Sequence, residues 1–202
     1  MLSLESLIHE AERAHGHLCA GQILGVRLAM LGLAKLGIDD PRGKDRKRLV
    51  TFVEIDRCAT DAIGVVTGCR LGKRALKFRD WGKMAATFVD LAARLADDGD
   101  NWYRAIRVAA KESSKQRARE MHPEIENKNQ QQMLAYRELP DDDLFTTEWV
   151  KVELVPEEFP GYKSDRIVCS ACGEGINFHR ELHRDGRILC RCCAGEQYYQ
   201  PI

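Results

Sequence analysis

Residues 49–68 read LVTFVEIDRCATDAIGVVTG. The run from Leu49 to Ile55 is short, rich in β-branched and apolar side chains and lacks sustained alternation, the pattern of a strand buried on both faces. Asp56 follows as a possible N-cap, and the chain then reads as a helix through Thr67 that Gly68 ends. A buried strand leading directly into a helix makes the fold class mixed α+β. Working back, Ser3 can cap a first helix whose apolar positions Leu4, Leu7, Ile8 and Ala11 follow helical spacing and which should end near Ala14. Residues 20–36 predict a second helix, apolar almost all round, with Gly21, Gly25 and Gly32 allowing close packing and Gly37 as its stop.

Working forward, strands are expected at Met84–Leu91 and Trp102–Val108 with Asp97–Asp100 as their turn, although residues 91–96 also have helical character. From Ala109 to Leu139 the chain is polar and helix-prone, with a break at His122-Pro123, and Thr146–Leu154 returns to strand character. The stretch Pro156–Asp165 interrupts regular structure and reads as a linker. With the boundary near Lys163, the expected organisation is an α+β core over 1–163 and a small zinc-binding domain over 164–202. No repeat of solenoid period is present.

At 202 residues and 44% hydrophobic content the chain can bury a sizeable core. Lys plus Arg equals Asp plus Glu at 31 each, so no net field holds it to nucleic acid or to an anionic membrane. The most apolar stretch, Cys19–Ile38, is interrupted by Gln22, Arg27 and Lys35 and is too polar to span a bilayer. The first residues lack a basic segment followed by an apolar one, so a reducing cytoplasm is the simplest compartment. The eight cysteines are then thiols or metal ligands rather than disulfides.

Five of them lie between Cys169 and Cys193. Cys169-Ser-Ala-Cys172 and Cys190-Arg-Cys-Cys193 are seventeen residues apart, a spacing that suits paired knuckles around one tetrahedral zinc. Asp185-Gly186 supplies a hairpin turn that returns the second knuckle to the first. Four thiolates close the coordination sphere, so the ion is structural. Cys192 competes with Cys193 on paper, but the two-residue spacer favours Cys193 and leaves Cys192 as an ordinary thiol. His179 lies too close to Cys172 for a Cys2His2 finger with His183, and both read as exposed hairpin histidines. Arg180, Arg184, Arg187 and Arg191 suggest a nucleic-acid regulator, against which the balanced charge of this segment counts.

A second constellation is His15-Gly-His17-Leu-Cys19, three potential ligands on alternate residues where the first helix ends. Imidazoles with a thiolate suit zinc, nickel, iron or copper, and three protein ligands leave a position open for chemistry; buried histidines that only satisfy hydrogen bonds are the simpler alternative. Cys58, at a helix N-terminus that favours thiolate, is a candidate nucleophile or further ligand, or else a small buried hydrophobe. Asp61, one turn on, can orient a ligand histidine or only favour the helix start. Cys69 reads as buried. Gly68–Lys73 has glycines too close together for a phosphate-binding loop, and Lys73 faces either an anionic ligand or solvent.

His15–Gly21, Asp56–Ile63 and Thr67–Lys73, in that order, resemble the FmdE family of formylmethanofuran dehydrogenase proteins. Ala20 stands where that family commonly has proline, and Arg74-Ala75 where it has Gly-Asn. The resemblance implies an α+β core that forms homodimers and, in some members, a C-terminal treble-clef zinc finger. It implies that His17, Cys19 and Cys58 line a core metal site with His15 beside them, and that Thr67 and Lys73 lie on a cofactor-facing loop. The expected function is a metal-binding protein, accessory to molybdenum or tungsten one-carbon redox enzymes and docked through its zinc module. The alternative is an independent enzyme in which a metal held by His17, Cys19 and Cys58 activates water, with Cys58, Asp61 and His15 as the candidate catalytic groups.

Overall fold

The run at Leu49 forms β1, Leu49–Val53, buried at every position, in a computed structural model that describes residues 1–95, 101–200 and 202. It is followed by α3, Cys58–Thr67, which ends at Gly68 with φ 71°. The cap of this helix is Arg57 rather than Asp56, with no side chain closing it. The turn into the helix is held instead by Thr60, whose hydroxyl donates to Ile55 O at 2.5 Å, so Cys58 becomes the first helical residue. The first helix, α1, runs Leu4–His15 with Ser3 as its cap, and α2 runs Ala20–Leu36.

The strands expected downstream form β3, Ala85–Arg94, and β4, Trp102–Ala110, paired antiparallel; the helical alternative for residues 91–94 loses to this ladder. The expected turn at Asp97–Asp100 lies outside the described residues. The helical stretch divides at His122-Pro123 into α4, Ser114–Met121, and α5, Lys128–Glu138. A short α6, Asp141–Leu144, precedes β5, Phe145–Glu153. One strand of this sheet went unforeseen: β2, Leu76–Phe78, pairs parallel with β1 and gives the sheet the order β2-β1-β3-β4-β5.

The helices and one face of the sheet share a core that includes Leu7, Ile23, Leu33, Val53, Ile63, Phe88 and Ile106. Two glycines of α2 set its depth. A Cβ at Gly32 would overlap the Phe88 ring, and one at Gly25 would lie 2.7 Å from Ala59 Cα in α3. The α2 helix therefore touches both the sheet and the α3 backbone, closer than any side chain would permit. Arg27, in the middle of this helix, donates to Tyr136 O at 2.9 Å and Leu139 O at 2.5 Å and pairs with Asp141 at 2.6 Å. It thereby satisfies carbonyls that the end of α5 leaves open. Glu54, buried at the end of β1, receives both arms of Arg107 at 2.7 Å.

The chain divides into two units, Met1–Leu154 and Val155–Ile202. The division falls at the front of the Pro156–Asp165 stretch rather than near Lys163. Leu154 N still donates to Asn101 O, and a 3-10 turn begins at Pro156. No described helix is long and apolar enough to cross a membrane. Gly25→Val should force α2 away from Ala59 and lower stability by about 1–3 kcal/mol, whereas Gly72→Ala, which meets nothing within 4 Å, should stay within about 0.5 kcal/mol in urea unfolding.

Candidate functional site

The α1 helix ends at Gly16, whose φ of 94° no β-carbon favours, and the chain turns there before Cys19 opens α2 in an extended conformation. This turn gathers His15, His17 and Cys19, one ligand atom of each lying within 4.8 Å of the others. The two imidazole rings sit 4.7 Å apart at 45°. From α3, Asp61 reaches across and accepts a 2.8 Å hydrogen bond from His15 Nδ1. That bond fixes the proton on Nδ1 and leaves Nε2 as the electron-pair donor, the arrangement by which carboxylates orient ligand histidines.

Cys58 stands next to this group but outside its tightest cluster. The position a Cβ would take at Gly21 lies 3.3 Å from Cys58 Cβ and 3.7 Å from Cys19 Sγ, so a glycine is what lets the two cysteines share this corner. Burial, and then the neighbouring Cys19, push the Cys58 thiol upward. Desolvation thus outweighs the helix terminus that suggested a thiolate here. Among the expected core ligands, His15 rather than Cys58 completes the close trio. Two further residues build the corner without having been singled out. Gln22, fully buried, donates to Cys58 O at 2.6 Å, and Asn129 of α5 accepts from Ala20 N at 3.0 Å at the start of α2. The signal for Gln22 was its polarity inside an apolar helix; Asn129, 109 residues away from Ala20, left none.

The Gly68–Lys73 loop is closed by local bonds. Thr67 is buried, donates to Ile63 O at 2.6 Å and accepts from Cys69 N at 3.1 Å, so its hydroxyl is engaged by the turn. Cys69 is buried as expected, its thiol pushed up by burial, with the Thr51 hydroxyl at 3.5 Å. Lys73 is exposed on a 3-10 turn, Leu71–Lys73.

In the second unit, β6 (Ile167–Val168) pairs with β7 (Gly175–Ile176), and β8 (Leu182–Arg184) with β9 (Arg187–Leu189). Asp185 and Gly186, both at positive φ, make the hairpin turn between β8 and β9. Cys169, Cys172, Cys190 and Cys193 bring their sulfurs within 4.8 Å of one another. Backbone N–H groups of Cys172, Cys190 and Ala171 draw the Cys169 thiol down to about 6, while neighbouring sulfurs of Cys190 and Cys172 push Cys193 up. Thiols this close compete for one negative charge, a conflict that a divalent cation relieves. Cys192 lies outside the set and donates to the Tyr199 hydroxyl at 3.5 Å. His179 bonds the Tyr162 hydroxyl at 3.1 Å and His183 is exposed on β8, so neither joins the cluster. Arg184 and Arg191, both exposed, bond Ala194 O and Glu196 respectively.

The sequence model of the family described as "FmdE, Molybdenum formylmethanofuran dehydrogenase operon" matches residues 14–146, and that of the "Prokaryotic dksA/traR C4-type zinc finger" matches residues 160–199. A curated relative, the "Probable S-adenosyl-L-methionine-binding protein" of Archaeoglobus fulgidus, is 30% identical over 210 residues, which cover 96% of this chain and 54% of the relative. The chain thus spans about half the length of that relative. The crystal structure of a tungsten formylmethanofuran dehydrogenase FmdE-like protein from Syntrophus aciditrophicus has a TM-score of 0.62 at 20% identity, over 98% of this chain and 96% of that one, and shows the same fold. The His15, His17, Cys19, Cys58 and Asp61 corner falls within the first match and the four clustered thiols within the second. This chain belongs to the FmdE family and ends in a C4-type zinc finger.

Proposed function

We propose that the Met1–Leu154 unit holds a transition-metal ion through His15, His17 and Cys19, and that the protein serves as a metal-carrying accessory to molybdenum or tungsten one-carbon redox enzymes. The observation that carries this reading is the trio of ligand atoms within 4.8 Å, with Asp61 already seated on His15. The donor set fits such an ion: two imidazoles and a thiol are borderline-to-soft ligands that suit zinc, iron, nickel or copper and repel magnesium. An ion bound there supplies Lewis acidity, and three protein ligands leave room for a ligand from outside. Asp61 keeps the His15 proton at Nδ1, and Cys58 stands beside Cys19 as a further donor. In the enzyme variant of this reading, with both nitrogens of His15 engaged, Asp61 is the group placed to move a proton. The finger, its four thiols turned to one another, is the structural partner-docking module.

A second reading is favoured by the name of the 30% identical relative: the same corner binds S-adenosylmethionine. Its thioether-derived sulfonium and amino acid moiety would meet the cysteine and carboxylate groups already described.

Metal analysis separates these sites. The wild-type chain should carry two ions, one lost in His17→Ala and Cys19→Ala and the other lost in the double variant Cys169→Ser/Cys172→Ser. Asp61→Asn should weaken the core ion about 10- to 100-fold and leave the finger untouched. A single ion per chain, removed only by the finger variant, would end the core-metal proposal. Calorimetric titration with S-adenosylmethionine should give saturable heat that Cys19→Ala diminishes if the second reading holds, and flat traces would dismiss it.

A further inference from the structure

The zero net charge of this chain conceals a strong segregation. Residues 42–83 carry twelve of the 31 lysines and arginines but only five of the 31 acids. Two of those acids, Asp45 and Glu54, are buried against Arg48 and Arg107. The excess is therefore cationic and displayed at the surface.

The fold gathers it. β1 and β2 run parallel, so the loop that feeds β1 and the loop that feeds β2 emerge at the same end of the sheet. They abut there: a Cβ at Gly68 would lie 3.0 Å from Arg42 Cγ. Lys44, Arg46 and Lys47 from the first loop and Arg70 and Lys73 from the second are all exposed, and none forms an ion pair among the described residues. β2 is the edge strand and only three residues long. Beyond its other end, two rings stand open to solvent, Phe78 at 39% and Trp81 at 61% exposure, with the Lys83 ammonium 5.7 Å above the Trp81 ring.

We propose that this edge is a binding surface for single-stranded nucleic acid, with the two loops on the phosphates and Trp81 and Phe78 as stacking platforms. Five exposed cations outside any ion pair among the described residues attract a chain of phosphates with an affinity set by salt. A cationic track that ends in exposed rings is the combination by which single strands are held without base readout. A duplex, whose bases are already stacked, would leave both rings without a role. Two of the finger's arginines, Arg184 and Arg191, are already engaged within their own unit, and a contribution from the rest is read out by the test below.

The test is fluorescence anisotropy of a labelled oligo-dT and an oligo-U against the full zinc-loaded chain across a salt series. Binding should weaken as salt rises. Lys47→Glu/Lys73→Glu should lower affinity at least tenfold and flatten the salt slope by about 1.4, at about 0.7 per contact. Trp81→Ala should cost roughly fivefold or more with the slope unchanged. Both variants lie on the exposed surface, and unaltered melting and zinc content would show that they fold. No binding at low salt overturns the proposal. So does binding that both variants leave intact and Arg187→Ala/Arg191→Ala abolishes, or a preference for vesicles rich in phosphatidylserine over either oligonucleotide.

Discussion

Contact between the backbones of α2 and α3 is the constraint on which the rest of the structure depends. A residue with any side chain at Gly25 would meet the backbone of Ala59, and one at Gly21 would enter the space between Cys19 and Cys58. Because both positions are glycine, two helix N-termini that are remote in sequence start side by side. The Cys19, His17 and His15 segment then faces Asp61 and Cys58, with the His15–Asp61 hydrogen bond spanning the gap. Buried Gln22 stitches the same junction from within, and Asn129 ties the beginning of α2 to α5. Glycine normally weakens a helix by roughly 1 kcal/mol, and here the loss is set against contact between helices and the assembly of a polar corner.

The two cysteine constellations differ in the way their chemistry requires. In the finger, four sulfurs face one another and backbone N–H groups already favour charge on Cys169, so the coordination shell is complete and ion binding is coupled to folding. For structural zinc that coupling is worth about 10–16 kcal/mol in isolated fingers, more than a unit of this size gains from its few buried apolar side chains. The core trio has three donors, a carboxylate behind one of them and an extra thiol to the side. Its scaffold is held by a packed core without help from an ion. Loss of an ion from the finger therefore threatens a fold, whereas the proposed core ion could come and go from a site whose scaffold stays folded.

Much of this was legible in the sequence because the informative signals were local. Helical spacing from Leu4 to Ala11, an apolar run ended by Gly37, the β-branched stretch at Leu49 and the break at His122-Pro123 each correspond to an element. The knuckle spacing likewise found the four thiols that cluster. Features that depend on distant partners were harder to read. β2 is three residues whose identity as a strand comes from pairing with β1, and nothing in Leu76-Lys-Phe78 announces it. Asp56 had the right chemistry for a cap, but Thr60 closed the turn first and moved the start of α3 to Cys58. The alternate spacing of His15, His17 and Cys19 did pick out the trio that clusters, whereas the family resemblance had put Cys58 in the set in place of His15. Net charge misled in another way, because a sum of zero is compatible with an excess of cations over one stretch, residues 42–83.

The central claim is that the end of α1 and the start of α2 form one ligand set of two imidazoles and a thiolate. X-ray absorption at the zinc edge of the Cys169→Ser/Cys172→Ser chain, reloaded with one equivalent of zinc, tests it without interference from the finger. The predicted spectrum has a shell with one sulfur and two imidazole nitrogens, whose sulfur contribution disappears on adding Cys19→Ala. A spectrum showing only oxygen ligands, or one that Cys19→Ala leaves unchanged, would contradict it.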